Sequence, residues 1–146
     1  MKTIKNSSVK DKLSIKKIEE NLNKLEDFRE LKGYKIALEF YTKLYVVLNE
    51  LPFYERFGVF DQLSRSAESI IANLAEGSHS LYLKTRANFY SISFATSCET
   101  QAWLDVMKVK GYFDCNMELY YELDSMLEEI KKLIVTYIEK IFEDID

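Results

Sequence analysis

Residues 51–77 read LPFYERFGVFDQLSRSAESIIANLAEG. This stretch holds the chain's only proline and two of its four glycines. Pro52 ends the helix before it, because its ring disfavours helical geometry in the preceding residue and its nitrogen donates no hydrogen bond. From about Tyr54 to Glu76, the residues Phe60, Leu63, Ala67, Ile70, Ile71 and Leu74 recur at helical spacing and form one apolar stripe. Gly77 suits a left-handed closing residue. The same helix carries Arg56, Arg65, Asn73 and Glu76. Polar groups on a core helix need partners, so these four mark either a buried network or a working surface.

Three more helices follow outward from this one. Ile36, Phe40, Leu44, Val47 and Leu51 predict a first long helix over about 31–51. Phe89, Ile92, Thr96, Trp103 and Val106 predict a third over about 81–110, stopped by Gly111. Tyr120, Leu123, Leu127, Ile130, Ile134, Tyr137 and Ile141 predict a fourth from about Asn116, a suitable N-cap, to Phe142. Ahead of them, Ile15, Ile18, Leu22 and Leu25 make a short apolar stripe over 12–27. A helix of that length is unstable alone in water and must dock on something. The expected fold is therefore all-α: an antiparallel up-down-up-down four-helix bundle over 28–146. An extra amphipathic helix and a polar leader occupy 1–27.

Composition agrees with that class. Four glycines and one proline in 146 residues leave too few turn residues for a sheet-rich fold. The chain has no stretch of about 20 apolar residues, so no membrane span is expected. The basic N-terminus lacks the apolar core of a secretory signal, which points to the cytoplasm. Cys98 and Cys115 lack metal-type spacing and are expected to be reduced thiols. Net charge is −4 but unevenly spread. Residues 81–110 carry four basic and two acidic side chains, whereas 111–146 carry three lysines against ten acids. That balance argues against a protein that simply coats nucleic acid, and leaves room for a local basic surface. Tyr41, Tyr45, Phe94 and Tyr121 fall beside the main stripes, and such aromatics point to a subunit interface.

Enzyme and metal chemistries find little support. Glu76–His79 has the Glu-x-x-His spacing of di-iron bundles, but His79 is the chain's only histidine and a full site needs a second pair. A serine triad would need the same histidine and lacks the Gly-x-Ser-x-Gly turn. No phosphate-binding glycine loop is present. Carboxylate pairs such as Glu128–Glu129 read as solvated charge. No catalytic residue, metal site, cofactor or small-molecule substrate is expected.

The candidates for phosphate contact are Arg56, Arg65, Lys84 and Arg86, with Lys108 and Lys110 at the far end of the third helix. Asn73, Glu76 and Glu99 are expected to form an ordering network, with Glu99 meeting Arg65 or Asn73 across the bundle.

These residues also resemble a known family, the small bundle proteins encoded in bacterial 23S rRNA intervening sequences. The resemblance is carried by Phe28-Arg29-Glu30-Leu31-Lys32, Leu51-Pro52, Glu55-Arg56-x-Gly58 and Gln62-Leu63-x-Arg65-x-Ala67. Its strongest element is Ser69-Ile70-x-Ala72-Asn73-x-Ala75-Glu76-Gly77, and it resumes at Glu99-Thr100-Gln101 and Gly111-Tyr112. The chain departs from the pattern at Ile71, where proline is frequent, and at Ser64, where a second basic residue is frequent. The resemblance implies a symmetric homo-oligomeric ring, a pentamer, without established enzymatic activity. Related bundles are accessory subunits of diversity-generating retroelements, binding the reverse transcriptase and its nucleic acid. The expected function is a non-enzymatic scaffold that assists RNA or an RNA-binding protein. The competing expectation is a protein-interaction module, such as a retroelement reverse-transcriptase accessory subunit, without direct nucleic-acid contact.

Overall fold

A computed structural model describes residues 16, 17, 19, 20 and 27–145. Four helices dominate: α1 (Lys32–Asn49), α2 (Val59–His79), α3 (Leu83–Val109) and α4 (Met117–Ile145). Short 3₁₀ turns occupy Phe28–Glu30 and Phe53–Phe57. The described residues contain no strand, so the fold is all-α. Lys16, Lys17, Glu19 and Glu20 are helical and exposed. The rest of the expected N-terminal helix lies outside the described residues.

The core follows the predicted stripes of α1, α2 and α4 closely. Phe40, Leu44, Leu63, Leu74, Leu123, Leu127, Ile130 and Ile134 are almost wholly enclosed. Each such side chain contributes roughly 1.5–3 kcal/mol on burial. Asn116 caps α4, its Oδ1 accepting from the Leu119 amide at 3.2 Å. At the start of α1 no side chain of the preceding residue caps the helix. Instead the Tyr137 hydroxyl accepts from the Gly33 amide at 2.9 Å, which satisfies one of the free donors of the first turn.

Helix α3 departs from expectation. The predicted face of Phe89, Ile92, Trp103 and Val106 is not the most deeply buried one. The buried face is Tyr90, Ser93, Thr96, Ser97, Thr100, Leu104 and Met107, with only Thr96 common to both. Its hydroxyls are satisfied locally and across to α2. Thr100 donates to the Thr96 carbonyl and to Ser66 Oγ at 2.8 and 3.0 Å. Ser93 donates to the Ile70 carbonyl at 3.0 Å, and Ser97 to the Ser93 carbonyl at 2.8 Å. Small hydroxyl side chains let α2 and α3 approach closely while the hydroxyls of Ser93, Thr96, Ser97 and Thr100 each find a partner.

Gly77 also differs from expectation. It lies inside α2, which continues to His79, and Gly111 (φ 85°) is the one glycine with left-handed geometry among the described residues. Gly77 is required by proximity instead: a Cβ there would sit 2.7 Å from Cδ1 of Tyr90. The second helix begins at Val59 rather than near Tyr54, because residues 53–57 wind into a separate 3₁₀ turn.

Candidate nucleic-acid interface

The 3₁₀ turn Phe53–Phe57 is built by its neighbours. Pro52 supplies fixed backbone geometry at its start (φ −56°). In a 3₁₀ helix, side chains three residues apart eclipse. Residues 53–58 therefore form three rows: Phe53 with Arg56, Tyr54 with Phe57, and Glu55 with Gly58. In the third row Glu55 faces inward, while Gly58 is exposed. Glu55 is buried, accepting from the Val59 amide at 3.2 Å and from Lys110 Nζ at 2.8 Å. The Lys110 ammonium, helped by the Val59 amide, holds the Glu55 carboxyl below the usual carboxylate range despite burial. The Tyr54 and Tyr112 hydroxyls share a hydrogen bond of 3.2 Å, which holds the Tyr112 phenol protonated well above its ordinary range.

The other two rows face outward. Phe53, Tyr54 and Phe57 are 78%, 74% and 87% exposed. The Arg56 guanidinium lies 5.8 Å from the Phe53 ring centre and forms no ion pair among the described residues. Phe53 also lines an open surface cavity of about 240 Å³, together with Tyr45, Leu48, Asn49, Phe60 and Arg56.

The other candidates lie elsewhere and are more occupied. Arg65 Nε bonds Asp61 one helical turn earlier at 2.9 Å, so part of its charge is neutralised. Arg86 is partly buried and donates from Nε to the Ser80 carbonyl at 2.6 Å, closing the α2–α3 connection. Desolvation lowers its pKa from the ordinary arginine value. Lys84 is exposed on the first turn of α3. Arg56 sits before α2, whereas Lys84 and Arg86 follow it, and the 21 residues of α2 span roughly 30 Å. One chain does not bring the four cations together. Lys110 is tied to Glu55, and Lys108 lies over the Tyr120 ring at 4.6 Å.

The expected polar network is also differently placed. Asn73 donates to Ser69 on its own helix, at 2.8 Å to the carbonyl and 3.1 Å to the hydroxyl. Glu76 is exposed. Glu99 is exposed and receives a long 3.5 Å bond from Trp103 Nε1 on its own helix, not from Arg65 or Asn73. A glutamate on the outer side of α3 remains solvated rather than crossing the bundle, because transfer into the core would cost more than one bond returns. The cross-helix ties fall to other residues. Gln101 Nε2 donates to Asp124 and Glu128 at 3.0 and 2.8 Å, and Lys131 returns to Gln101 Oε1 at 3.1 Å. Tyr120 donates to Asp105 at 2.5 Å, which pushes its phenol up to about 12. Lys43 pairs with Glu122 and joins α1 to α4.

Among the described residues no group of three His, Cys, Asp or Glu side chains is arranged to hold a metal ion. No described helix is long and apolar enough to cross a membrane. Cys98 and Cys115 are free and exposed. The exposed rings of the 53–57 turn escaped the sequence reading because an apolar residue next to a helix stripe is indistinguishable from core. The available signal was the five-residue spacing between Pro52 and Gly58, too short for a helix of its own.

Among curated proteins nothing matches. A solved structure is similar: a protein of unknown function from the S23 ribosomal protein family of Bacteroides thetaiotaomicron. It is 25% identical, with a TM-score of 0.66 over 73% of this chain and 95% of that one. The family model for the 23S rRNA-intervening sequence protein matches residues 29–136. With that model covering most of its length, and with the same helical fold in the solved relative, the chain belongs to the 23S rRNA-intervening sequence protein family.

Proposed function

We propose that this protein is a non-enzymatic, homo-oligomeric scaffold of the cytoplasm that assists RNA or an RNA-binding protein. In this reading the bundle is antiparallel, up-down-up-down. Support comes from its pairings: Gly77 against Tyr90, Ile70 with Ser93 and Ser66 with Thr100 between α2 and α3, and Gly33 with Tyr137 and Lys43 with Glu122 between α1 and α4. The observation that carries the functional reading is Arg56, which has no acidic partner among the described residues and lies among exposed aromatic rings, in a family described by its link to 23S rRNA. Arg65 and Lys84 extend the same role to other parts of the surface. A ring of copies, a pentamer in this proposal, would gather several such turns.

The test is native mass by light scattering at low salt, with the 260/280 nm absorbance ratio read on the same peak. A multiple of the 17.2 kDa chain with excess 260 nm absorbance is expected. The Arg56→Glu variant should lose that excess and keep its helical signal. A monomer free of nucleic acid overturns the proposal.

A second reading is favoured by the exposed acids of α4, including Glu118, Glu122, Glu129, Glu139 and Glu143. These suit a basic protein partner, as in a retroelement accessory subunit. An assembly that ignores RNA at every salt concentration yet retains a basic protein would select it.

A further inference from the structure

We infer that the 53–57 turn and the cavity it helps to line form a seat for a single unpaired nucleobase of RNA. The inference rests on the RNA-scaffold reading and names the subsite within it.

Three large rings at 74–87% exposure on one five-residue segment are unfavourable in water unless something covers them. The turn that carries them is nevertheless anchored. Glu55 is locked from below by Lys110 and the Val59 amide, and Tyr54 is tied to Tyr112. An anchored turn lowers the ordering cost of binding, which the Phe53 and Phe57 side chains still pay in part. Flat, exposed rings beside an arginine are the arrangement on which single-stranded bases stack, since every base offers a π-face.

The cavity narrows the occupant. At about 240 Å³ it lies below the range of drug-sized pockets and suits one small flat group. Tyr45, Leu48 and Phe60 line part of it, its exposed lining is otherwise mostly polar, and Asn49 brings an amide able to pair with a base edge. Arg56 stands at the rim, with no ion pair to a carboxylate among the described residues, where the phosphate attached to that base would lie.

Charge separates single strand from duplex. The C-terminal carbonyls of α1 border the site through Leu48 and Asn49, at the negative end of the helix dipole. A duplex would bring dense phosphate against them. One extruded base with one phosphate at Arg56 avoids that repulsion. Affinity should therefore come mainly from stacking, and salt dependence should be shallow, with a slope near −0.7 for one neutralised phosphate.

The experiment uses the full chain and fluorescein-labelled ten-nucleotide RNA, A10 and U10, against a ten-base-pair duplex, by anisotropy across 50–300 mM salt. Adenosine 5′-monophosphate is titrated in parallel by NMR, observing the Phe ring resonances. Light scattering accompanies each variant. Single strands should bind at least tenfold more tightly than duplex, and Phe53→Ala/Phe57→Ala should weaken them by about tenfold or more at unchanged mass. Arg56→Ala should flatten the remaining salt slope. If RNA binds and the Phe variant matches the parent while Lys84→Glu or Arg65→Glu abolishes binding, the seat is wrong and the scaffold reading survives. A drop in assembly mass on removing the rings assigns them to a contact between copies and also overturns the seat. Shifts with the mononucleotide but no retained RNA keep the seat and sink the scaffold reading. Neither shifts nor RNA binding rejects both.

Discussion

Replacing Gly77 by alanine tests why that glycine is there. The new Cβ would lie 2.7 and 2.8 Å from Cδ1 and Cε1 of Tyr90 and 3.1 Å from its Cγ, whereas ordinary contact begins near 3.4 Å. Tyr90 cannot swing away freely: it is 5% exposed and its ring packs 5.5 Å from that of Tyr137. Overpacking of this kind costs about 1–3 kcal/mol. Against it stands the better helix propensity of alanine over glycine, about 1 kcal/mol in a helix interior. The net expectation is a loss of up to about 2 kcal/mol, up to several degrees in Tm for a chain of this size. Urea unfolding followed by circular dichroism at fixed protein concentration measures it. A double-mutant cycle with Tyr90→Val supplies the decisive term, because valine lacks the two ring carbons that the methyl would strike. The Gly77→Ala substitution should become neutral or stabilising in the Tyr90→Val background. Were Gly77 instead a left-handed helix terminator, alanine would cost the same with either residue at position 90, and a coupling of zero would refute the packing explanation.

The remaining predictions concern polar anchors and one turn. The Glu55 carboxyl is held below its ordinary value of 4.5, so its contribution is present above that pH and lost as the solution is acidified through the lower folded value. Glu55→Gln should cost about 1–3 kcal/mol near neutral pH, and the gap in urea midpoint between parent and variant should shrink towards pH 3.5; a gap that stays constant means the charge is not responsible. Thr100→Val keeps the shape of a fully buried residue but removes its bonds to Thr96 and Ser66. It should cost about 1 kcal/mol, and no change in the urea midpoint would mean that the hydroxyl ladder does not hold α2 to α3. Gly111→Ala forces a side chain into left-handed geometry at φ 85°, with its Cβ 3.0 Å from an Asp114 oxygen. A loss of about 1–2 kcal/mol should follow, and an unchanged Tm would show that the α3–α4 connection relaxes freely.

The helices with one apolar stripe were legible in the sequence because position alone decides burial on them. On α4, Leu123, Leu127, Ile130 and Ile134 are fully enclosed where the 3-4 spacing places them. Helix α3 departs from its apolar pattern for a physical reason. It carries apolar residues on two sides, and its buried side is marked by Ser93, Ser97 and Thr100, which a reading keyed to hydrophobicity passes over. A hydroxyl that bonds its own helix four residues back presents only a small apolar stub to its neighbour. Close packing of α2 on α3 therefore needs small side chains more than greasy ones, and Gly77 beneath the Tyr90 ring follows the same rule.

The candidate site was harder to read, because its meaning depends on winding. Had residues 53–57 continued α2 as an ordinary helix, Arg56 would point 100° away from Glu55 and 60° from Phe53 by the 3.6-residue repeat. The 3₁₀ turn instead places Phe53 and Arg56 in one row, and Tyr54 and Phe57 in another. Glu55 fixes that choice: a buried carboxylate needs Lys110 and the Val59 amide, and only a turn that breaks before Val59 offers it both. The residue that determines the site is thus the one that takes no part in its surface. Its partner, Lys110, lies 55 positions away at the far end of α3, a distance over which a local reading of periodicity carries no information.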